Sequence, residues 1–262
     1  MARAALLLIV LIPAIVGLVF AVAPSLDVDL AKFFLQAHQQ GPLREILPSL
    51  FSFRDIAEKV PYAAAALALA VIILKLVNPR RAIVLPSRAT VLLLATLAVG
   101  PVLVSNVLLK DHWSRPRPRE ITELGGTQQF RPWWDPRGSC KRNCSFVSGE
   151  VSAAFSFLAP AAMMPGPWSY VAIGSVTAYG LMIGYIRMIA GGHFFTDVVF
   201  AASLTALIVW LLHGLLCRWE RTRVTDQSLD NAIGEAALMS RDAVARKLAA
   251  IDAAVRKMFR KR

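Results

Sequence analysis

Six apolar stretches constrain this chain more than any other feature: Ala4 to Ala23, Val60 to Val77, Ala89 to Leu109, Phe146 to Met164, Trp168 to Ala190 and Phe194 to Cys217. A hydrocarbon core about 30 Å thick is crossed by roughly 20 apolar residues of helix, so each stretch reads as a membrane span or close to one. In lipid every backbone polar group must be satisfied within the protein, which leaves helices as the element for runs of this length. The expected fold is an all-α integral membrane bundle of six helices. Residues 1–217 form the membrane domain and residues 218–262 a basic amphipathic cytoplasmic tail. The first stretch follows Arg3 and ends in Ala21-Val22-Ala23, which also suits a signal peptide. Its apolar run exceeds a usual signal core, favouring a retained anchor. The segment from Pro24 to Lys59 is too mixed to span, and its Phe33, Phe34, Leu35 and Phe51 suit a helix or hairpin at the interface.

Composition agrees: 56% of residues are hydrophobic and 18% charged, against about 45–50% and 25% in soluble domains. Three cysteines exclude a disulfide-dense scaffold. The 29 basic and 17 acidic residues leave a net charge of +12, and where it sits carries information. The loop Asn78-Pro79-Arg80-Arg81 with Arg88, and the tail opening Arg218, Arg221, Arg223, read as cytoplasmic. Six spans then put both termini inside and gather residues 24–59, 110–145 and the Gly191-Gly192 turn outside. Yet residues 110–145 hold eight basic and four acidic residues, so either the topology is inverted or those charges serve something else. In the tail, Val244, Leu248, Ile251, Val255 and Met258 recur at helical spacing among basic residues, which suits a helix on the inner leaflet.

Three clusters at span ends carry chemistry, because charge at membrane depth is costly. The first is Lys110-Asp-His-Trp-Ser-Arg-Pro-Arg117-Pro118. A lysine point charge and an arginine fork can share phosphate oxygens, although such residues also flank ordinary spans. The second is Ser145-Phe-Val-Ser148-Gly149-Glu150, where a Ser-Gly pair opens a helix as an anion site or a plain N-cap. The third is Arg187-Met-Ile-Ala-Gly-Gly-His193-Phe-Phe-Thr-Asp197. His193 and Asp197, four apart, share a helix face, so the carboxylate can fix the tautomer and free the other nitrogen to attack.

Together these clusters resemble the type 2 phosphatidic acid phosphatase (PAP2) superfamily over roughly residues 60 to 215. The resemblance implies a six-helix membrane bundle without metal or other cofactor and a phosphohistidine intermediate. It makes His193 the nucleophile and Asp197 its orienting partner. Lys110, Arg117 and Arg187 would bind phosphoryl oxygens, with Ser148 and the Gly149 amide completing the cradle. The chain departs from the pattern at Val147, Ile186 and Glu150, the last standing where the family has histidine. A pKa raised by burial beside a phosphate dianion would let Glu150 act as general acid.

Within the superfamily, Lys110-Asp-His-Trp, Arg-Pro-Arg-Pro, Cys140 and Cys144 before Ser145-Phe-Val, and Gly191-Gly-His-Phe-Phe resemble bacterial lipid A 4′-phosphatases. That branch implies an inner-membrane enzyme with its site facing the periplasm and a lipid phosphomonoester as substrate. Phosphatases for lipid A 1-phosphate, phosphatidylglycerophosphate and undecaprenyl diphosphate share the three motifs, and a lipid transporter would need no His–Asp pair. Cys140 and Cys144 are either a disulfide closing the outer loop or two free thiols. Trp113, Phe130, Trp133 and Trp134 read as headgroup anchors or as the lining of a substrate mouth. Arg115, Arg119, Arg131, Lys141 and Arg142 read as steering charges for an anionic headgroup. A nucleic-acid partner does not fit basic residues interrupted by spans, and oligomeric state is not encoded legibly.

Overall fold

The computed structural model describes residues 2–39 and 43–259. Helices dominate, and among the described residues the only extended pairing is an isolated bridge between Ile121 and Gln128. The order is α1 (Ala2–Val22), α2 (Ser25–Gln39), α3 (Leu43–Ala57), α4 (Val60–Val77) and α5 (Ser87–Leu97). Then come α6 (Gly149–Phe155), α7 (Leu158–Ala161), α8 (Trp168–Ile189), α9 (Phe195–His213) and α10 (Asp226–Phe259). Helix α5 runs on through widened π-type turns, Ala98–Lys110. Pro101, lacking an N–H, sits inside them and removes one rung of the ladder.

Among the described residues, five helical segments are long and apolar enough to cross a membrane: Arg3–Val22, Arg44–Val77, Ser87–Lys110, Trp168–Ile189 and Phe195–Arg218. The chain is thus a multi-pass membrane protein. The expected span Phe146 to Met164 takes a different form. Its helix stops after Phe155 and resumes for one turn as α7. Ser156 donates its hydroxyl back to the Ser152 carbonyl, and Pro160, four residues on, has no N–H to bond Ser156. Short, broken α6 fills the middle of the bundle against α8, α9 and the π-type segment. Its Val151 and Phe155 pack with Ile183, Val198 and Ala201. Glycines four apart on α8 permit this approach, since a Cβ at Gly184 would lie 2.6 Å from Val198 Cγ1 and one at Gly180 would overlap the Phe155 ring.

Within the segment expected to lie at the interface, Ser25–Gln39 and Leu43–Ala57 form the helix pair α2 and α3, and they do not simply rest on an interface. Phe34 packs edge-on against Tyr185 of α8, with ring centroids 5.8 Å apart. The loop 111–148 closes the same end of the bundle, held by backbone bonds from Cys144 N to Lys110 O, Ser145 N to Arg115 O and Arg119 N to Gly191 O. Three of its aromatics are structural. Trp113 donates to the Trp133 carbonyl, Trp133 to the Gly17 carbonyl on α1, and Phe130 packs against Phe194. Only Trp134 of the four is exposed. At the other end, α10 lies against the loop between α4 and α5. Tail side chains Val255, Arg256, Lys257 and Met258, and residues 260–262, fall outside the described ones.

Candidate active site

The turn between α8 and α9 places the histidine. Gly191 takes φ +61°, which a side chain would resist, and a Cβ at Gly192 would sit 2.5 Å from Arg187 Nη2. These two glycines let the Arg187 guanidinium lie against the backbone beside His193. The imidazole is 2% exposed, and its Nδ1 lies 2.7 Å from the Ser145 carbonyl oxygen. A carbonyl only accepts, so Nδ1 carries the proton and Nε2 keeps a free lone pair. Burial holds the His193 pKa far below its ordinary range, at about 4 against the opposing charge of Asp197, so the ring is neutral at neutral pH.

The expected direct bond between His193 and Asp197 is replaced by an indirect one. His193 Nδ1 and Asp197 Oδ2 are 3.8 Å apart, too far for a hydrogen bond. Ser145 stands between them: its hydroxyl donates to Asp197 Oδ2 at 2.5 Å while its carbonyl accepts from His193. The carboxylate is already engaged, since it also caps α9 through the Phe194 N–H at 2.8 Å and receives Arg115 at 2.5 Å.

Lys110, Arg117, Gly149, Glu150 and Arg187 line one cavity of about 820 Å³, joined by Arg54, Asn106 and Arg119. His193, Asp197 and Ser148 lie buried behind that surface. A Cβ at Gly149 would fall 3.1 Å from Lys110 Nζ, so the missing side chain lets the lysine approach the backbone. Arg117 is anchored by two bonds to the Asn143 carbonyl, at 2.8 and 3.3 Å. Asn143 belongs to the small ring closed by a Cys140–Cys144 disulfide, whose Cα atoms are 5.7 Å apart. Two buried donors here have no hydrogen-bond partner among the described residues: Ser148 Oγ and Arg187 Nε. Leaving such groups unsatisfied costs free energy, which an anion supplying acceptor oxygens would recover. No cluster of three metal-ligating side chains occurs among the described residues.

Glu150 differs from expectation. Arg54 grips its carboxylate through Nε at 2.9 Å and Nη2 at 2.6 Å, and Arg187 Nε lies 3.5 Å away. Burial pushes its pKa up, but the Arg54 bonds and the charges of Arg187 and Arg54 outweigh that, and the pKa lies below the ordinary carboxylate range. In the free site Glu150 is therefore an anion.

Arg115 also corrects its sequence reading. It is wholly buried and steers nothing. Its guanidinium joins Asp197 to Asp27 of α2, with 2.5 and 2.8 Å contacts, while Nε donates to the Arg131 carbonyl. Asp27 in turn accepts from the Thr196 N–H and hydroxyl. Arg131 pairs with Asp135, and Arg119 lines the cavity, while Lys141 and Arg142 are exposed. Sequence reasoning missed Asp27, Arg54 and Asn106. Each is a polar residue beside or within an apolar run, and that context is the signal that marks them.

Three curated relatives are named lipid A 4′-phosphatase. That of Francisella tularensis subsp. novicida (strain U112) is 36% identical over 46% of this chain and 54% of its own length. That of Rhizobium leguminosarum is 37% identical over 45% and 50%, and that of Rhizobium etli 36% over 45% and 45%. The chain thus spans about half the length of the curated relatives it matches. No solved structure matches it significantly. The pattern of the PAP2 superfamily matches residues 89–221, a segment that contains every one of the three clusters lining or backing the cavity, and the chain belongs to that superfamily.

Proposed function

We propose that this chain is a membrane phosphatase that removes a phosphomonoester from a lipid, with the 4′-phosphate of lipid A the favoured substrate. The carrying observation is the shape of the cavity. Its cationic end is lined by Lys110, Arg117 and Arg187, the last lying against the Gly192 backbone beside buried His193. Ala65 and Leu69 of α4 and Leu94, Ala98 and Val102 line an apolar extension between two spans. An amphiphile with a phosphorylated head suits both halves. The names of the relatives support the lipid A reading.

In this reading His193 Nε2 attacks phosphorus, forming an N–P bond as the bond to the leaving oxygen breaks. Lys110, Arg117 and Arg187 neutralise the equatorial oxygens, and Ser148 Oγ supplies a further donor. Asp197, through Ser145, holds the ring and offsets the charge the imidazole gains. Glu150 is ionised in the free site, so it serves as general acid only after an arriving phosphate competes for Arg54 and Arg187 and raises its pKa. Protonated, it gives its proton to the leaving oxygen. As carboxylate it then takes one from the water that splits the N–P bond, and inorganic phosphate departs. The site faces the periplasm of a bacterial inner membrane, with both termini cytoplasmic.

Purified protein in detergent, offered lipid A, phosphatidylglycerophosphate and undecaprenyl diphosphate side by side, tests this by mass spectrometry of the products. Loss of the 4′-phosphate from lipid A, absent in His193→Ala, is expected; intact lipid A beside another consumed lipid would reassign the substrate. Trapping of a phosphoenzyme that vanishes in His193→Ala separates catalysis from transport.

A further inference from the structure

Helix α10 binds the bundle along one face and then outruns it. Asp226 accepts from Arg88 N and Nε at 2.9 Å each. One turn on, Asp230 makes a buried ion pair with Lys75 at 2.8 Å and accepts the Ile83 N–H at 3.1 Å. Gly234 and Ala237 are buried next, and Arg241 donates to the last carbonyls of α4, Leu76 and Val77. Steps of three and four keep a single helix face, and the same steps lead from Arg241 to Val244, Leu248 and Ile251. At that point the protein beneath ends, and these three are 56%, 61% and 59% exposed.

The docking face has therefore changed from polar to apolar at the place where α10 leaves the ends of α4 and α5. Those ends mark a membrane boundary, because Leu76 and Val77 close the span Arg44–Val77. The boundary is the one remote from the cavity, since Lys110 closes the opposite end of the span Ser87–Lys110. Exposed Arg246 and Lys247 accompany the apolar stripe, and residues 241–262 contain eight basic and two acidic residues. An apolar stripe with cationic flanks, starting at a bilayer boundary, is complementary to anionic headgroups over acyl chains.

We infer that the second half of α10 lies on the membrane surface remote from the active site and binds anionic lipid there, with Val244, Leu248 and Ile251 inserted. This surface is independent of the phosphatase reading. It fastens the end of the bundle that carries the α4–α5 loop through Lys75–Asp230 and Arg88–Asp226.

The test uses the full chain with Cys217→Ser, labelled with a polarity-sensitive fluorophore at Leu248→Cys or, on the opposite face, Ala250→Cys. It is reconstituted in vesicles of phosphatidylcholine alone or with phosphatidylglycerol. The expected result is a blue shift and protection from aqueous iodide at 248, and not at 250, only in the anionic vesicles. Arg246→Gln and Lys247→Gln should each lower the bound-to-free ratio by about fivefold. Equal quenching at 248 in both vesicle types would overturn the inference. So would protection that is independent of anionic lipid, equal at 250, or dependent on protein density, the last assigning the stripe to a second copy of the chain.

Discussion

Replacing Arg115 by methionine removes a guanidinium that is 0% exposed and shared between two buried carboxylates. Methionine preserves much of the side-chain volume, so the consequence is electrostatic rather than a cavity. Removing one partner of a buried ion pair costs about 3–5 kcal/mol, because the other charge stays behind without compensation. Here two charges stay behind, Asp27 and Asp197, and the Arg131 carbonyl and the Phe194 ring 4.2 Å away also lose a partner. The upper part of that range is expected. Asp27→Asn keeps an acceptor for Arg115 and Thr196 and should cost less, about 1–3 kcal/mol. In the double variant only Asp197 is left unpaired, so the two losses should fall short of additivity by about 0.5–3 kcal/mol. Unfolding in detergent, followed by tryptophan fluorescence, measures all four corners of the cycle. Turnover on the same samples should fall in Arg115→Met by more than KM rises, since Asp197 holds Ser145 and Ser145 holds His193. Unchanged stability with a higher KM alone would refute this reasoning and return Arg115 to headgroup steering.

Other outcomes follow from the same geometry. His193 attacks only when neutral, and its pKa is about 4; protonation at lower pH disables it, so phosphoenzyme formation in single turnovers should stay level down to about pH 5 and fall below. An acid limb near 6.5, the ordinary imidazole value, would contradict the burial argument. Arg187→Lys loses the planar fork and should weaken inhibition by inorganic phosphate by about 1.5–3 kcal/mol, read as an inhibition constant. Ser148→Ala removes a buried hydroxyl that has no hydrogen-bond partner among the described residues, so thermal unfolding should be unchanged or delayed while phosphate binding weakens by about 0.5–1.5 kcal/mol. Cys140→Ser with Cys144→Ser loosens the ring whose Asn143 carbonyl anchors Arg117, and steady-state kinetics should show KM rising with kcat changed less.

The helical class and the three clusters were legible because each depends on local pattern. Apolar run length specifies a helix through backbone satisfaction in lipid, and motif spacing keeps His193 near Asp197, although His193 lies in the turn before the Phe194 N-cap and not on a face of α9. The break in the fourth stretch was harder to see. Ser156 and Pro160 sit in a run that hydropathy scores as continuous, and only the i to i−4 bonding pattern shows that the helix cannot pass through them. Aromatic residues in the 110–145 loop misled for a related reason. Trp113 and Trp133 have apolar bodies and one donor each, which suits a headgroup belt as well as a packed core, and partners as distant as Gly17 decide between the two.

Charge is where sequence and structure diverge most usefully. Arg115 and Arg117 stand two residues apart in the same Arg-Pro-Arg-Pro run, yet one serves the protein and the other faces the cavity. Two residues apart in an extended segment they would share a side, so local alternation does not separate them; what holds Arg115 inward is Asp27, a residue of α2 outside the segment that matches the superfamily. Glu150 obeys the same logic, because Arg54 on α3 sets its ionisation. The loop's excess of basic residues is therefore not one phosphate-recognition surface. Part of it neutralises carboxylates that hold the histidine in place, and part is free to meet an anion. The helices that precede the matched segment thus supply two charges, at Asp27 and Arg54, on which the arrangement of the site depends.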